Sequence, residues 1–258
     1  MTPLAGAGGV RKSLTIAIDG CRPDALLAAD CPNIDSLIAS GAFSGDAQCE
    51  DLTFSGPNWS TILHGVHRDK HRVTTNDYAG NDLANWPDYF HYLEQHNPAW
   101  NTYRVLTWLV AHSNQPTGAD VAINREYSAN GDALAALDVV RLLRGTHPTY
   151  TADPDAIFIF FSDVDTAGHT YGFDPSRPGY LAEIEDTDAL IGQILDALYD
   201  RPGYANEDWL IVLTSDHGGN IDGTHHGGTP ERRRIPFLVS GPSAVVGTPF
   251  PQPKNVDV

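Results

Sequence analysis

The chain has 258 residues, 41% hydrophobic and 19% charged, with a formal net charge of −17. That length suffices for one α/β domain with an ample core, so no disulfide or structural metal is required for stability. Asp outnumbers Glu 26 to 7 and Arg outnumbers Lys 13 to 3, which argues against duplex nucleic-acid binding, since a sequence-independent grip on phosphates needs Lys and Arg. Such acidity also repels anionic substrates unless cations sit in the site. No run of 18 apolar residues occurs, so no membrane span is expected. The opening stretch MTPLAGAGGVRKSLTIAIDG lacks the basic-then-apolar pattern of a signal peptide. Cys21, Cys31 and Cys49 form no Cys-x-x-Cys pair and read as small buried or loop residues; a Cys31–Cys49 bridge stays open.

Leu14-Thr15-Ile16-Ala17-Ile18 reads as a short buried strand ended by Asp19-Gly20. A helix is expected next in CPNIDSLIASGAF. Pro32 suits its first turn, Ile34, Leu37 and Ile38 share a face, and Gly41 suits its stop. TYRVLTWLV (102–110) is a second strand candidate, and NGDALAALDVVRLLRG (130–145) an amphipathic helix. AIFIFF (156–161) is a continuous apolar run, as in a strand covered on both faces. LAEIEDTDALIGQILDALYD (181–200) is a long helix that turns Ile184, Leu190, Ile191, Ile194, Leu195 and Leu198 inward. WLIVLT (209–214) and IPFLVS (235–240) complete the strand set.

This alternation predicts a single domain over 1–258, a three-layer α/β/α sandwich on a mostly parallel sheet. Ligands in such folds bind beyond the carboxyl ends of the strands. The polar residues obey that rule. Asp19 ends the first strand, SDVD follows AIFIFF, and SDHGG follows WLIVLT.

Within SDVDTAGHTYG, Asp165 and His169 are four residues apart, on one side of a helical turn. Asp163 would share that side in an extended chain. SDHGGNIDGTHHGG adds Asp216, His217, His225 and His226, with Asp222 nearby. A surface loop rarely collects three histidines beside two glycine pairs. Carboxylate with imidazole suits Zn²⁺ or another borderline divalent ion. Six ligands are too many for one catalytic zinc and about right for two ions sharing a nucleophile. Ser55-Gly56-Pro57-Asn58 precedes a short helical pattern. A hydroxyl at a helix start sits where anions are stabilised, although helix capping is the common use of such a serine.

With these blocks in view, the chain resembles the alkaline phosphatase superfamily, and within it the type I phosphodiesterase/nucleotide pyrophosphatase branch. The resemblance runs from about Leu14 to the end through AIDGCRPD, CPNIDSLIASGAF, TFSGPNWSTILHGVHRDKHRV, DVDTAGHTYG, SDHGG and HGGTPERRRIPFLVSGP. It implies a site for two divalent ions, with Zn²⁺ expected. Asp19, Asp216 and His217 match the ligands of one ion, which Ser55 joins as nucleophile. Asp165, His169 and His226 match those of the other, with His225 as runner-up. Asn58 matches an Asn that holds a non-bridging phosphoryl oxygen.

The branch often has Thr where Ser55 stands. Sulfatases carry Arg where Trp59 stands, and one type of monoesterase carries a Lys-x-Arg, yet no Lys occurs here between Lys70 and Lys254. Relatives continue beyond KNVDV into another helix, so a truncated form is one expectation.

The function read from all this is hydrolysis of a small phosphate ester through a phosphoseryl intermediate, with a phosphodiesterase or nucleotide pyrophosphatase first. A phosphomonoesterase or sulfatase on the same metals is the alternative, and a non-catalytic metal-binding domain a further one. Substrate selection is placed in an insertion around 72–125, where Trp86, Tyr89, Phe90, Trp100, Tyr103 and Trp108 concentrate. Core packing is the expected use of most of these aromatics. Oligomeric state and location are not legible.

Overall fold

A computed structural model describes residues 9–126, 130–247 and 252–258; part of the opening stretch read for a signal peptide lies outside the described residues. In chain order the elements are β1 (Val10–Ile18), α1 (Pro23–Leu26), α2 (Pro32–Ala39), β2 (Gly41–Gln48), α3 (Ser55–His64), α4 (Arg68–His71), α5 (Tyr89–His96), β3 (Thr102–Leu106), α6 (Leu109–Asn114), β4 (Val121–Asn124), α7 (Gly131–Leu143), β5 (Ala156–Phe161), α8 (Asp163–Tyr171), α9 (Pro178–Tyr199), β6 (Glu207–Thr214), α10 (Pro230–Arg233) and β7 (Arg234–Ser240).

The strands form one sheet in the order β2-β7-β6-β1-β5-β3-β4. From β6 to β4 the neighbours run parallel, and β7 is antiparallel to both β6 and β2. Alternation along β5 shows how the layers form. Ile157, Ile159 and Phe161 pack with Ala135 and Val139 of α7 and Ile191 and Ile194 of α9. Ala156, Phe158 and Phe160 face the other way, onto Trp59, Ile62 and Leu63 of α3 and Phe90 of α5. A strand with both faces covered must be apolar at every position, which is what AIFIFF supplies. The result is the expected three-layer α/β/α sandwich with a mostly parallel sheet.

Several boundaries differ from the sequence reading. β3 stops at Leu106, and Leu109, expected in that strand, instead opens α6, where its N–H is capped by the Glu126 carboxylate. Gly41 does not stop α2. Ser40 is the cap, and Gly41 opens β2, where a Cβ would lie 2.3 Å from the Val239 carbonyl oxygen. Neither β2 nor β4 was anticipated. GAFSGDAQ is an edge strand with little apolar content, and VAIN has only four residues. Residues 72–125 supply α5, β3, α6 and β4, so they build one edge of the sheet as well as the loops above it. All three cysteines are buried free thiols, which answers the open question of a Cys31–Cys49 bridge.

Candidate active site

The carboxyl ends of β6, β1 and β5 are neighbours in the sheet. Asp19 follows β1, Ser215-Asp216-His217 follows β6, and β5 leads through Ser162 into α8, which carries Asp165 and His169. Gly20 makes the convergence possible. Its φ is +66°, and a Cβ there would sit 2.8 Å from Asp165 Oδ1. Its N–H donates to Asp216 Oδ1 at 3.1 Å.

His217 Nε2 lies 3.4 Å from a carboxylate oxygen of Asp19 and of Asp216, and 4.0 Å from Asp165. Asp165 and His169 approach to 3.4 Å across one turn of α8. Two sets of ligand atoms gather within 4.8 Å, one from Asp19, Asp216 and His217 and one from Asp165, His217 and His225.

Three observations fit this donor set to divalent cations. First, His169, His217 and His225 each turn Nδ1 to a backbone carbonyl, of Gly223 (2.8 Å), Gly218 (2.8 Å) and Thr53 (2.6 Å). An imidazole that donates from Nδ1 keeps a lone pair on Nε2, the tautomer a metal needs. Second, Asp19 Oδ1, Asp165 Oδ1 and Asp216 Oδ2 are buried with no hydrogen-bond partner, a costly state for a carboxylate unless a cation meets it. Third, burial raises the pKa of all three acids. It pushes Asp216 up to about 7, and the charges of Asp216 and Asp165 add to burial at Asp19. Burial lowers His217 and His225, which keeps both neutral and able to bind metal.

Ser55 is the first residue of α3, with Phe54 at the cap position and no side-chain cap. The Ser55 hydroxyl therefore does not serve as a helix cap. It lies 3.3 Å from His217 Nε2 and lines the same cavity as Asp19, Asp165 and His169.

Two residues depart from the sequence reading. His225, not His226, stands among the ligand atoms. His225 is buried and held through Thr53, whereas His226 is exposed and stacks on Phe54. The two rings meet edge to face with centroids 4.6 Å apart, and the Thr53 carbonyl holds the buried His225 in place. Asn58 is fully buried, and its amide is used up within the protein. Nδ2 donates to the carbonyls of Leu52 and Phe54, while Oδ1 accepts from Glu50 N–H and Asn255 Nδ2. It braces the loop before Ser55 and has no donor left for a phosphoryl oxygen.

Asn76 was missed. It lines the cavity, and its Oδ1 accepts from Gly56 N–H at 2.8 Å. Nothing in TTNDYAG marks it, because its importance comes from meeting α3 across 20 residues. Asp163 begins α8 rather than an extended segment, so it lines the cavity apart from Asp165's position in the ligand set. Asp222 is exposed and accepts from Thr224, away from the cluster.

The cavity has a volume of about 400 Å³. Of the aromatics in 72–125, Trp108 lines it. Phe90 and Tyr103 are buried in the two cores, Trp86 lies near Lys70, and Trp100 lines a cleft with Arg11 and Leu210. Trp59 donates from Nε1 to Asp19 Oδ2 at 3.1 Å and orients that acid.

The sequence pattern of the type I phosphodiesterase/nucleotide pyrophosphatase family matches residues 13–221. The chain belongs to this family, and with it to the alkaline phosphatase superfamily. It is 24% identical over 241 residues to GPI ethanolamine phosphate transferase 1 of Saccharomyces cerevisiae, covering 87% of this chain and 25% of that protein. Ectonucleotide pyrophosphatase/phosphodiesterase family member 7 of Homo sapiens is 22% identical over 236 residues, covering 84% and 49%. The chain thus spans a quarter to a half of the length of these relatives.

Among solved structures, inactive murine ectonucleotide pyrophosphatase/phosphodiesterase 5 in complex with AMP superposes with a TM-score of 0.72 at 14% identity, covering 96% of this chain and 92% of that one. A 2-O GAG sulfatase superposes with a TM-score of 0.69 at 14% identity, covering 96% and 68%. These two likenesses concern the fold alone.

Proposed function

We propose that the protein is a metal-dependent phosphodiesterase that uses Ser55 as its nucleophile, with two divalent ions, Zn²⁺ expected. One Nε2 lone pair serves one ion, so His217 belongs with Asp19 and Asp216. Asp165, His169 and His225 hold the second. The ions supply two effects there, a lowered pKa for a neighbouring hydroxyl and positive charge against the phosphoryl oxygens.

The chain's own residues do the rest. Ser55 Oγ attacks phosphorus in line, its P–O bond forms, and the bond to one esterified oxygen breaks with departure of that alcohol. The product is a seryl phosphate ester at the start of α3, where backbone N–H groups and the helix dipole favour its negative charge. Water then cleaves that ester and regenerates Ser55. Asn76, fixed through Gly56, takes the oxyanion-holding role that Asn58 has no free donor to fill.

The observation that carries this reading is Ser55 itself, an uncapping serine at 3.3 Å from His217 Nε2. The test is acid quench during turnover of bis(p-nitrophenyl) phosphate with Zn²⁺, followed by mass spectrometry of the peptide carrying Ser55. A phosphoryl adduct there, absent from Ser55→Ala, is expected. Sustained turnover with no adduct on any time scale rejects the mechanism. A parallel panel of aryl monoester and aryl sulfate weighs the alternatives. The sulfatase alternative is weakened by Trp59, whose indole already occupies Asp19. An added alcohol that diverts product from free phosphate to a new ester would mark a transferase, the activity in the yeast relative's name.

A further inference from the structure

The connection from α8 to α9 carries a side chain that touches both proposed ligand groups. Gly172 closes α8 with a φ of +100°, and Phe173 follows with its ring fully buried. That ring meets three imidazoles edge to face. Its centroid lies 5.3 Å from His169, 5.9 Å from His225 and 6.4 Å from His217, with interplanar angles of 79°, 78° and 73°. His169 and His225 belong to the group assigned to the second ion, and His217 to the group assigned to the first.

Two glycines make room for the ring. A Cβ at Gly168 would lie 2.2 Å from Phe173 Cε1, and one at Gly219 would lie 2.4 Å from its Cγ. A glycine inside a helix weakens it relative to alanine, so α8 gives up local stability at Gly168 to admit the phenyl group. The backbone of Phe173 is fixed as well. Its N–H donates to the Asn220 carbonyl at 2.9 Å. Its carbonyl accepts from Arg22 Nη1 at 2.6 Å, the same nitrogen that donates to the Gly219 carbonyl at 3.1 Å.

Each of the three imidazoles is anchored from Nδ1 to a backbone carbonyl. One such bond fixes a point and leaves the ring free to swing about it. An edge-to-face contact with a buried phenyl group fixes the plane, and with it the direction of the Nε2 lone pair. The phenyl group has no polar atom to compete for that lone pair, and an apolar shell limits the access of water. His217 and His225 also stack on each other, with centroids 3.8 Å and planes 10° apart, so a ring against both holds the pair as a unit. We propose that Phe173 is a positioning residue shared by the two ligand groups, which sets the planes of His169, His217 and His225 together. This rests on the two-ion reading above and adds the residue that couples the two groups.

The test is a two-site zinc titration against a competing chelator on wild type, Phe173→Leu and Leu198→Ala. Leucine keeps most of the apolar volume and loses the ring plane. Leu198 lies in the same core. It stands about 27 Å along α9 from Tyr180, whose ring meets Phe173 at 5.7 Å, so Leu198→Ala reports the loss of packing alone. Phe173→Leu is expected to weaken zinc by about tenfold at both sites. Leu198→Ala is expected to lower the melting temperature and leave both affinities near wild type. The visible spectrum of the cobalt-loaded protein should shift in Phe173→Leu and not in Leu198→Ala. Phe173→Met, flexible enough to fill the same space, gives the same reading if the leucine variant folds poorly. Two zinc ions on wild type with both affinities kept in Phe173→Leu, with only one weakened, or with equal weakening in Leu198→Ala, overturns the proposal and leaves the two-ion reading standing. Fewer than two zinc ions on wild type rejects that reading and the proposal with it.

Discussion

Ser55 and Asn58 sit three residues apart in one helix and should respond to mutation in opposite ways. Ser55→Ala removes the hydroxyl and leaves both ligand groups intact. It should lower kcat by at least ~10²-fold at near-normal metal content and melting temperature. Ser55→Thr should retain much of the rate, since Thr keeps the hydroxyl. Asn58→Ala strips four hydrogen bonds from a buried site. Each buried group left unpaired costs about 1–3 kcal/mol, so its melting temperature should fall sharply. The two histidines offer a similar contrast. His225→Ala should lose about one ion per chain by metal analysis, and His226→Ala should keep both. The reverse pattern would restore His226 to the ligand set.

At the scale of elements, α8 carries two of the three residues proposed for the second ion, Asp165 and His169, and its own cap does not hold it. Ser162 occupies the cap position, but no side-chain cap bond forms there. Asp132 of α7 takes over instead. Its carboxylate accepts from Ser162 N–H at 3.1 Å and from Asp163 N–H at 2.9 Å. Asp132→Ala should therefore loosen the first turn of α8 and weaken zinc at Asp165, His169 and His225 more than at the other group. A two-site zinc titration against a competing chelator reads this directly, and equal weakening of both sites would count against the special role of Asp132.

Elements also show what a sequence can and cannot disclose. AIFIFF and WLIVLT were legible because strands buried on both faces must be apolar throughout. The acids at their ends were legible because parallel sheets place ligands at carboxyl ends. β2 was not, since an edge strand paired on β7 needs few apolar residues. The choice between His225 and His226 was not legible either, because it depends on the Thr53 carbonyl 172 residues away. Asn76 and Asp132 act through contacts of the same non-local kind.

For the whole molecule, the net charge of −17 sets the terms on which protons and metal compete. Asp19 and Asp216 are buried and Asp165 is partly buried beside them, and desolvation raises the pKa of each, Asp216 to about 7. In the metal-free protein a raised pKa means the acid holds its proton up to higher pH than it would in water. A divalent ion must displace that proton, so binding releases protons and weakens as pH falls. Burial shifts His217 and His225 down from the ordinary imidazole value, so they compete less for protons than an exposed histidine would. The apparent zinc affinity should therefore fall by about tenfold per pH unit, for each proton displaced, as pH drops below about 7. Above that pH the contribution of Asp216 should level off. Because metal binds the folded state, the zinc-dependent rise in melting temperature should shrink over the same interval. Titration with a zinc-responsive dye from pH 8 to pH 5.5, with melting curves on the same samples, checks both. An affinity that stays flat across that range would mean the three acids are already ionised without metal, and the buried cluster would then be stabilised by something other than the ions inferred here.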